Sequence, residues 1–145
     1  MEKIYWTKNL SVGVRAIDRQ HKKFVEIANN LVDHLNTKDV DSVFIRTYFD
    51  ACYFTQTHFE FEEKLYTTVD YFDKKKHIKD HERLLTDLLH FSNMLYKGEN
   101  RAEELVKFMQ KWFLEHVLNY DQHCKPFFEM AVKKLGFFQR LKYIL

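Results

Sequence analysis

Apolar residues recur every three or four positions through most of this chain, the repeat of a helix with one buried face. Phe24, Ile27, Ala28, Leu31 and Leu35 follow Asp18, a residue type suited to an N-cap, and predict a first helix. Asn36, Thr37, Lys38 and Asp39 break it. Val43, Phe44, Cys52, Phe54, Phe59 and Leu65 predict the inner side of a second helix over about 40–67. A loop over 67–73 leads to a third helix over about 74–97, with Ile78, Leu84, Leu85, Leu88, Phe91 and Leu95 inside and Gly98 as the residue that ends it. Asn100 and Glu103 have the spacing of a capping box for a fourth helix running to about 123. Its buried face takes Leu105, Phe108, Met109, Trp112 and Phe113. Pro126 should interrupt it before a short final helix.

Before the first helix the apolar positions alternate instead (Ile4, Trp6, Leu10, Val12, Val14), as in an extended arm lying on a core. Four helices joined by short loops alternate in direction. The expected fold is therefore all-α, an antiparallel up-down-up-down four-helix bundle with an N-terminal extended arm and a short C-terminal helix. One domain covers 1–145: arm 1–17, bundle 18–123, helical tail 126–145.

Composition narrows the class. With 3 glycines and 1 proline the chain lacks turn material for an all-β fold. A net charge of +2, with bases spread among acids, argues against nucleic acid as a partner. Cys52 and Cys124 form no CxxC and read as buried or half-buried thiols in a reducing compartment. The N-terminus shows no apolar leader and no stretch reaches about 18 apolar residues. The expectation is a cytoplasmic monomer.

The chemistry lies in the histidines. His58 and Glu62 stand four apart on the second helix, His77 and His81 four apart on the third, so each pair shares a face. His21 lies on the first helix, His116 and Asp121 on the fourth. Taken alone, none of these says much; an isolated His-x-x-x-His is common. Together they put imidazoles and acids on all four helices among apolar flanks, where burial without partners costs several kcal/mol. A cation removes that cost. Five imidazoles and two carboxylates exceed one tetrahedral zinc site, and calcium or magnesium prefers oxygen. Nitrogen-rich sites with carboxylates suit iron, among other metals. Two octahedral ions offer twelve positions. Five histidines, two bridging carboxylates and one bridging oxide or hydroxide fill eleven, which leaves one open for a small molecule.

His21, HFEFE from His58 to Glu62, HIKDH from His77 to His81 and HVLNYD from His116 to Asp121 resemble the hemerythrins, most closely the single-domain bacteriohemerythrins. Trp6, VGVRAIDRQHK from Val12 to Lys22, the acid pair Glu62 and Glu63, Trp112, and Pro126 with Phe127 and Phe128 extend the resemblance over about 4–128. It implies two iron ions in a non-haem, oxo- or hydroxo-bridged centre. His77, His81 and His116 would hold one iron and His21 and His58 the other. Glu62 and Asp121 would bridge them, and dioxygen would bind reversibly at the open position on the His21 side. The implied role is oxygen carrier, store or sensor rather than enzyme. The alternatives are a di-iron enzyme handling peroxide, oxygen or nitric oxide, or oxygen delivery to a membrane oxidase.

Phe24 and Val117 are candidate walls of the oxygen pocket, and Gln20 a candidate outer partner of a ligand. The five-residue step from His116 to Asp121 spans about 140° on an ideal helix. It therefore predicts a π-type widening near 117–121 that swings Asp121 inward. Tyr66 stands where the family often has Met, and Phe72 where it often has Pro; neither is a ligand position. His34, His90 and His123 fall outside the motif and read as surface residues. In the tail, Phe127, Ala131, Leu135, Phe138, Leu141 and Leu145 recur at helical spacing with Lys133, Lys134, Arg140 and Lys142 between. A basic amphipathic helix packs on its own bundle or docks on a membrane or protein partner.

Overall fold

The computed structural model describes residues 1–145 and contains helices with no strand. The helices are α1 (Arg15–Thr37), α2 (Ser42–Tyr66), α3 (Lys74–Tyr96), α4 (Ala102–His116), α5 (Gln122–Lys134) and α6 (Phe137–Ile144). A π-helical turn, Val117–Asp121, joins α4 to α5, so these form one rod. α1, α2, α3 and the α4–α5 rod make the antiparallel bundle. No helix is long and apolar enough to cross a membrane.

Local chemistry explains most of the boundaries. Asp41 caps α2 by accepting from the backbone N–H groups of Val43 and Phe44 at 2.9 and 3.0 Å. That cap leaves Val43 on the outside, 58% exposed, not on the inner side its apolarity suggests. Gly98, at φ +79°, closes α3 with the paired bonds of a Schellman motif, Gly98 N–H to Leu95 O and Glu99 N–H to Met94 O.

Two predicted caps are not formed. α1 begins at Arg15, three residues before Asp18. The Asp18 carboxylate instead accepts from the Val12 N–H at 2.8 Å and from the Ser11 hydroxyl, fastening the arm to the helix. The arm therefore ends at 14 and contains one tight turn, Lys8–Leu10. α4 begins at Ala102 without a side-chain cap. Arg101 occupies the cap position, one residue after Asn100, and the acid that Asn100 would need, Glu103, pairs with Lys107.

Pro126 does not interrupt the fourth rod; it lies inside α5. Its missing N–H removes one rung at a cost of about 3 kcal/mol. Cys124, Phe128 and Ala131, all essentially inaccessible, hold the segment helical. The break comes at Leu135 and Gly136, and α6 then folds back onto α1.

The interior has two apolar clusters. The larger gathers Phe24, Leu31, Phe44, Tyr48, Phe59, Leu84, Leu88, Leu105, Met109, Phe113 and their neighbours between the helices. The smaller joins the arm to the loop after α2 and to α5 and α6 through Val12, Ile17, Tyr66, Tyr71, Cys124, Phe128 and Tyr143. Buried polar residues from all four rods lie at the join, touching Phe59 of the first cluster and Tyr66 of the second.

Candidate metal centre

His21, on α1, and His58 and Glu62, on α2, are buried. So are His77 and His81 on α3, His116 at the end of α4 and Asp121 at the end of the π turn. The π turn lies where the five-residue step required it. The wider turn brings Asp121 onto the His116 side, with a carboxylate oxygen 3.0 Å from His116 Nε2.

The seven side chains form two groups that share both acids. Ligand atoms of Glu62, His77, His81, His116 and Asp121 all lie within 4.8 Å of one another, as do those of His21, His58, Glu62 and Asp121. Each carboxylate divides its two oxygens between the groups. Asp121 turns Oδ1 to His77 (2.9 Å) and His116 (3.0 Å) and Oδ2 to His21 (3.3 Å). Glu62 turns Oε1 to His58 (3.4 Å) and Oε2 to His81 (3.5 Å).

Three imidazoles have their outer nitrogen committed. His58 Nδ1 donates to Gln20 Oε1 at 2.7 Å, His81 Nδ1 to Glu63 Oε1 at 2.8 Å and His116 Nδ1 to Asp80 Oδ2 at 2.7 Å. A neutral ring that donates from Nδ1 carries its lone pair on Nε2. Those lone pairs point inward, and His116 Nε2 lies 3.1 Å from His77 Nε2 and 3.2 Å from His81 Nε2. His21 Nε2 and His58 Nε2 are 3.2 Å apart. Lone pairs packed at such distances repel unless positive charge sits among them. Glu62 Oε1 and both Asp121 oxygens are buried without a hydrogen bond. This donor set fits a pair of cations, which would satisfy the facing nitrogens and the orphaned oxygens together.

Without a metal, protons have to balance the charge. Burial pushes Glu62 up to about 7, and the nearby Asp121 adds to the shift. Burial also holds His58, His77 and His81 below the ordinary imidazole value. It acts the same way on His116, but Asp121 and Asp80 outweigh it and raise that ring to about 10.

The outer partners follow a rule that the sequence showed only for Gln20. Gln20 adjoins His21 yet serves His58 on the next helix; Glu63 adjoins Glu62 and serves His81; Asp80 adjoins His81 and serves His116. Each of the first three helices orients an imidazole on its successor. The available signal was an acid or amide one position from a ligand, pointing about 100° around the helix. His21 Nδ1 is buried without a partner.

His77 differs again. Its Nδ1 lies 2.9 Å from the Tyr66 hydroxyl and 3.1 Å from Cys124 Sγ, and the same hydroxyl is 3.4 Å from Glu62 Oε2. Tyr66 is no ligand position, but it touches two of the seven residues. Sequence alone gave no sign of this contact.

On the His21 and His58 side lies a small apolar pocket. Phe24, Phe54, Phe59, Trp112, Phe113 and Val117 form most of its wall and leave about 10 Å³ of accessible space, the room of one water-sized molecule. Phe24 and Val117 were singled out from the sequence; Phe54, Phe59 and Phe113 were not. Phe59 stacks on His81 at 3.8 Å and Trp112 on His116 at 4.4 Å, so aromatic faces shield the rings from solvent. His90 and His123 are exposed, and His34 is half-buried beside Asp41, all away from this cluster.

Known proteins are similar to this chain in sequence and fold. The bacteriohemerythrin of Pseudomonas aeruginosa is 29% identical over 121 residues, 83% of this chain and 78% of that protein. A hemerythrin-like protein of Naegleria gruberi is 22% identical over 120 residues, covering 83% of this chain and 89% of its own length. The crystal structure of a wild-type hemerythrin superposes with a TM-score of 0.80 at 21% identity, over 86% of this chain and 97% of that one, and so shares the fold. The profile of the hemerythrin HHE cation-binding domain matches residues 12–128. That span contains all seven converging residues, and the chain belongs to the hemerythrin family.

Proposed function

We propose that this chain binds dioxygen reversibly at a non-haem di-iron centre, as an oxygen carrier, store or sensor, within a single domain spanning 1–145. The observation that carries the reading is the division of the Glu62 and Asp121 oxygens between two sets of imidazoles, His77, His81 and His116 on one side and His21 and His58 on the other. Carboxylates so placed are built to bridge two cations. When bound, two irons would supply the electrons that dioxygen takes up and returns on release.

The protein's own part is orientation and exclusion. Gln20, Glu63 and Asp80 fix which nitrogen of His58, His81 and His116 faces inward. Phe24, Phe54, Trp112, Phe113 and Val117 leave room for one small molecule beside the two-histidine side, which is where an open position would fall. An apolar wall admits a diatomic gas and disfavours water and charged reductants.

The rival reading is enzymatic turnover of peroxide, oxygen or nitric oxide, which needs a proton donor at that pocket. Apart from the imidazoles, its polar lining is Gln20, Thr55 and Trp112, whose indole N–H is buried without a partner. Gln20 accepts from His58, and Thr55 donates to the Ala51 carbonyl at 2.8 Å. The threonine hydroxyl is taken, and amide and indole N–H groups are too weakly acidic to serve as general acids, which supports binding and release over turnover. Two free thiols, Cys52 and Cys124, suit the cytoplasm.

The test is iron stoichiometry with an absorption spectrum of the reduced protein before and after air exposure. About two irons per chain, and visible bands that appear with air and fade under argon, are expected. One iron or none, or irreversible bleaching with rapid peroxide consumption, would overturn the reading.

A further inference from the structure

We infer that the end of the molecule formed by α6 and the outer face of α1 is a docking surface for an anionic lipid bilayer. Residues beyond 128 lie outside the span matched to the family, so the family match does not account for the tail. α6 is held by one side only. Tyr143 is buried and packs 4.6 Å from Phe61, the Leu145 carbonyl accepts from Arg19, and Arg140 donates to the Lys133 carbonyl. The opposite side carries Phe137, Phe138, Leu141 and Leu145 at helical spacing, with Phe137 71%, Phe138 81% and Leu145 68% exposed. Four of the thirteen exposed large hydrophobic residues thus fall in the last nine positions, Ile144 being the fourth. Folding could have turned these side chains inward at a gain of about 1.5–3 kcal/mol each; the helix presents them outward instead.

The charge around that stripe selects the occupant. Residues 130–145 contain Lys133, Lys134, Arg140 and Lys142 and no acid. α1, which α6 contacts, adds exposed Arg15, Arg19 and Lys22 one turn apart along the same side. The acids that line the grooves at this end are Glu129 and Asp18, and Asp18 is taken by Ser11 and Val12. The rest of the chain carries more acids than bases, so the positive charge is concentrated at this end. Aromatic and aliphatic side chains flanked by lysine and arginine are what an anionic headgroup interface takes up: the rings enter the acyl boundary and the cations stay with the phosphates.

The test is flotation of the full iron-loaded chain with phosphatidylcholine vesicles, with and without about a third phosphatidylglycerol. Binding to the anionic vesicles, weakened by salt and absent from the neutral ones, is expected. Phe137→Ser with Phe138→Ser should lower it roughly tenfold or more. Lys133→Gln with Lys134→Gln should lower it by about fivefold per charge. All four positions are exposed, so iron content and helicity should not change. Three results would each overturn the inference: no binding of the wild type to anionic vesicles, equal binding by these variants, or a dimer in sedimentation that the serine variant dissolves while vesicles are ignored.

Discussion

Asp80→Ala removes a residue that touches no metal yet should loosen one. Its carboxylate accepts from His116 Nδ1 at 2.7 Å, and both side chains are almost completely buried. Hydrogen bonds to a charged partner contribute about 1.5–3 kcal/mol, and each 1.4 kcal/mol is a factor of ten. Freed from Asp80, the His116 ring can turn or present the wrong nitrogen, and iron on that side should bind about 10–100-fold more weakly. Asp80→Asn keeps an oxygen acceptor without the charge and should fall between. Arg83→Ala is the control: Arg83 meets Asp80 at 3.1 Å, but its side chain is 69% exposed, so its loss should change little. The assay is anaerobic competition for ferrous iron against a coloured chelator, with circular dichroism to confirm folding. Asp80→Ala holding both irons within about twofold of the wild type would refute the argument that outer partners set the inward lone pairs.

Tyr66→Phe keeps the stacking on Phe128 but leaves His77 Nδ1 with only Cys124 Sγ and removes a donor from Glu62 Oε2. A neutral bond is worth about 1 kcal/mol, so iron release should quicken about fivefold; stopped-flow chelation reads it, and an unchanged rate would make Tyr66 packing alone. Val117→Phe fills the space beside His21 and should slow the appearance of the oxygenated bands about tenfold or more at unchanged iron content, at a cost of about 1–3 kcal/mol in stability; unchanged stopped-flow rates would place oxygen entry elsewhere. For the iron-free chain, burial lowers His58, His77 and His81, so the unfolded state takes up protons first as pH falls below 6.5, and stability present above that value is lost. Two groups work in the opposite sense: Glu62, raised to about 7, between 7 and 4.5, and His116, raised to about 10, between 10 and 6.5. Below 6.5 His116 is charged in both states, and three imidazoles against one carboxyl leave a net loss of up to about 1.4 kcal/mol per pH unit per unbalanced proton. Urea denaturation at pH 6.5 and 5 measures it, and equal or greater stability at 5 would contradict this balance.

What the sequence made legible follows from what periodicity encodes. The helix count and the convergence of His21, His58, Glu62, His77, His81, His116 and Asp121 were readable because a side chain's face follows from its spacing. So was the π turn, since His116 and Asp121 could not otherwise share a face. Helix ends were less legible. Asp18 and Asn100 are cap residues by type, yet one fastens the arm and the other stands a residue too early, choices decided by tertiary contacts. Pro126 looked like a stop because the second cluster that holds α5 helical assembles from residues as distant as Val12 and Tyr143. Outer partners were missed because Glu63, Asp80, Tyr66 and Cys124 each act on another helix, a relation no single-helix pattern contains.

The fourth rod has one poorly laddered stretch. Over Val117–Asp121 its bonds span five residues instead of four, and a few positions later Pro126 withholds a donor. Helices open where their rungs are fewest, so amide exchange should be fastest from about 117 to 126. That stretch carries Asp121, and His116 adjoins it. The acid shared by the two imidazole groups thus sits on the least securely laddered part of its rod, where local opening would move it first.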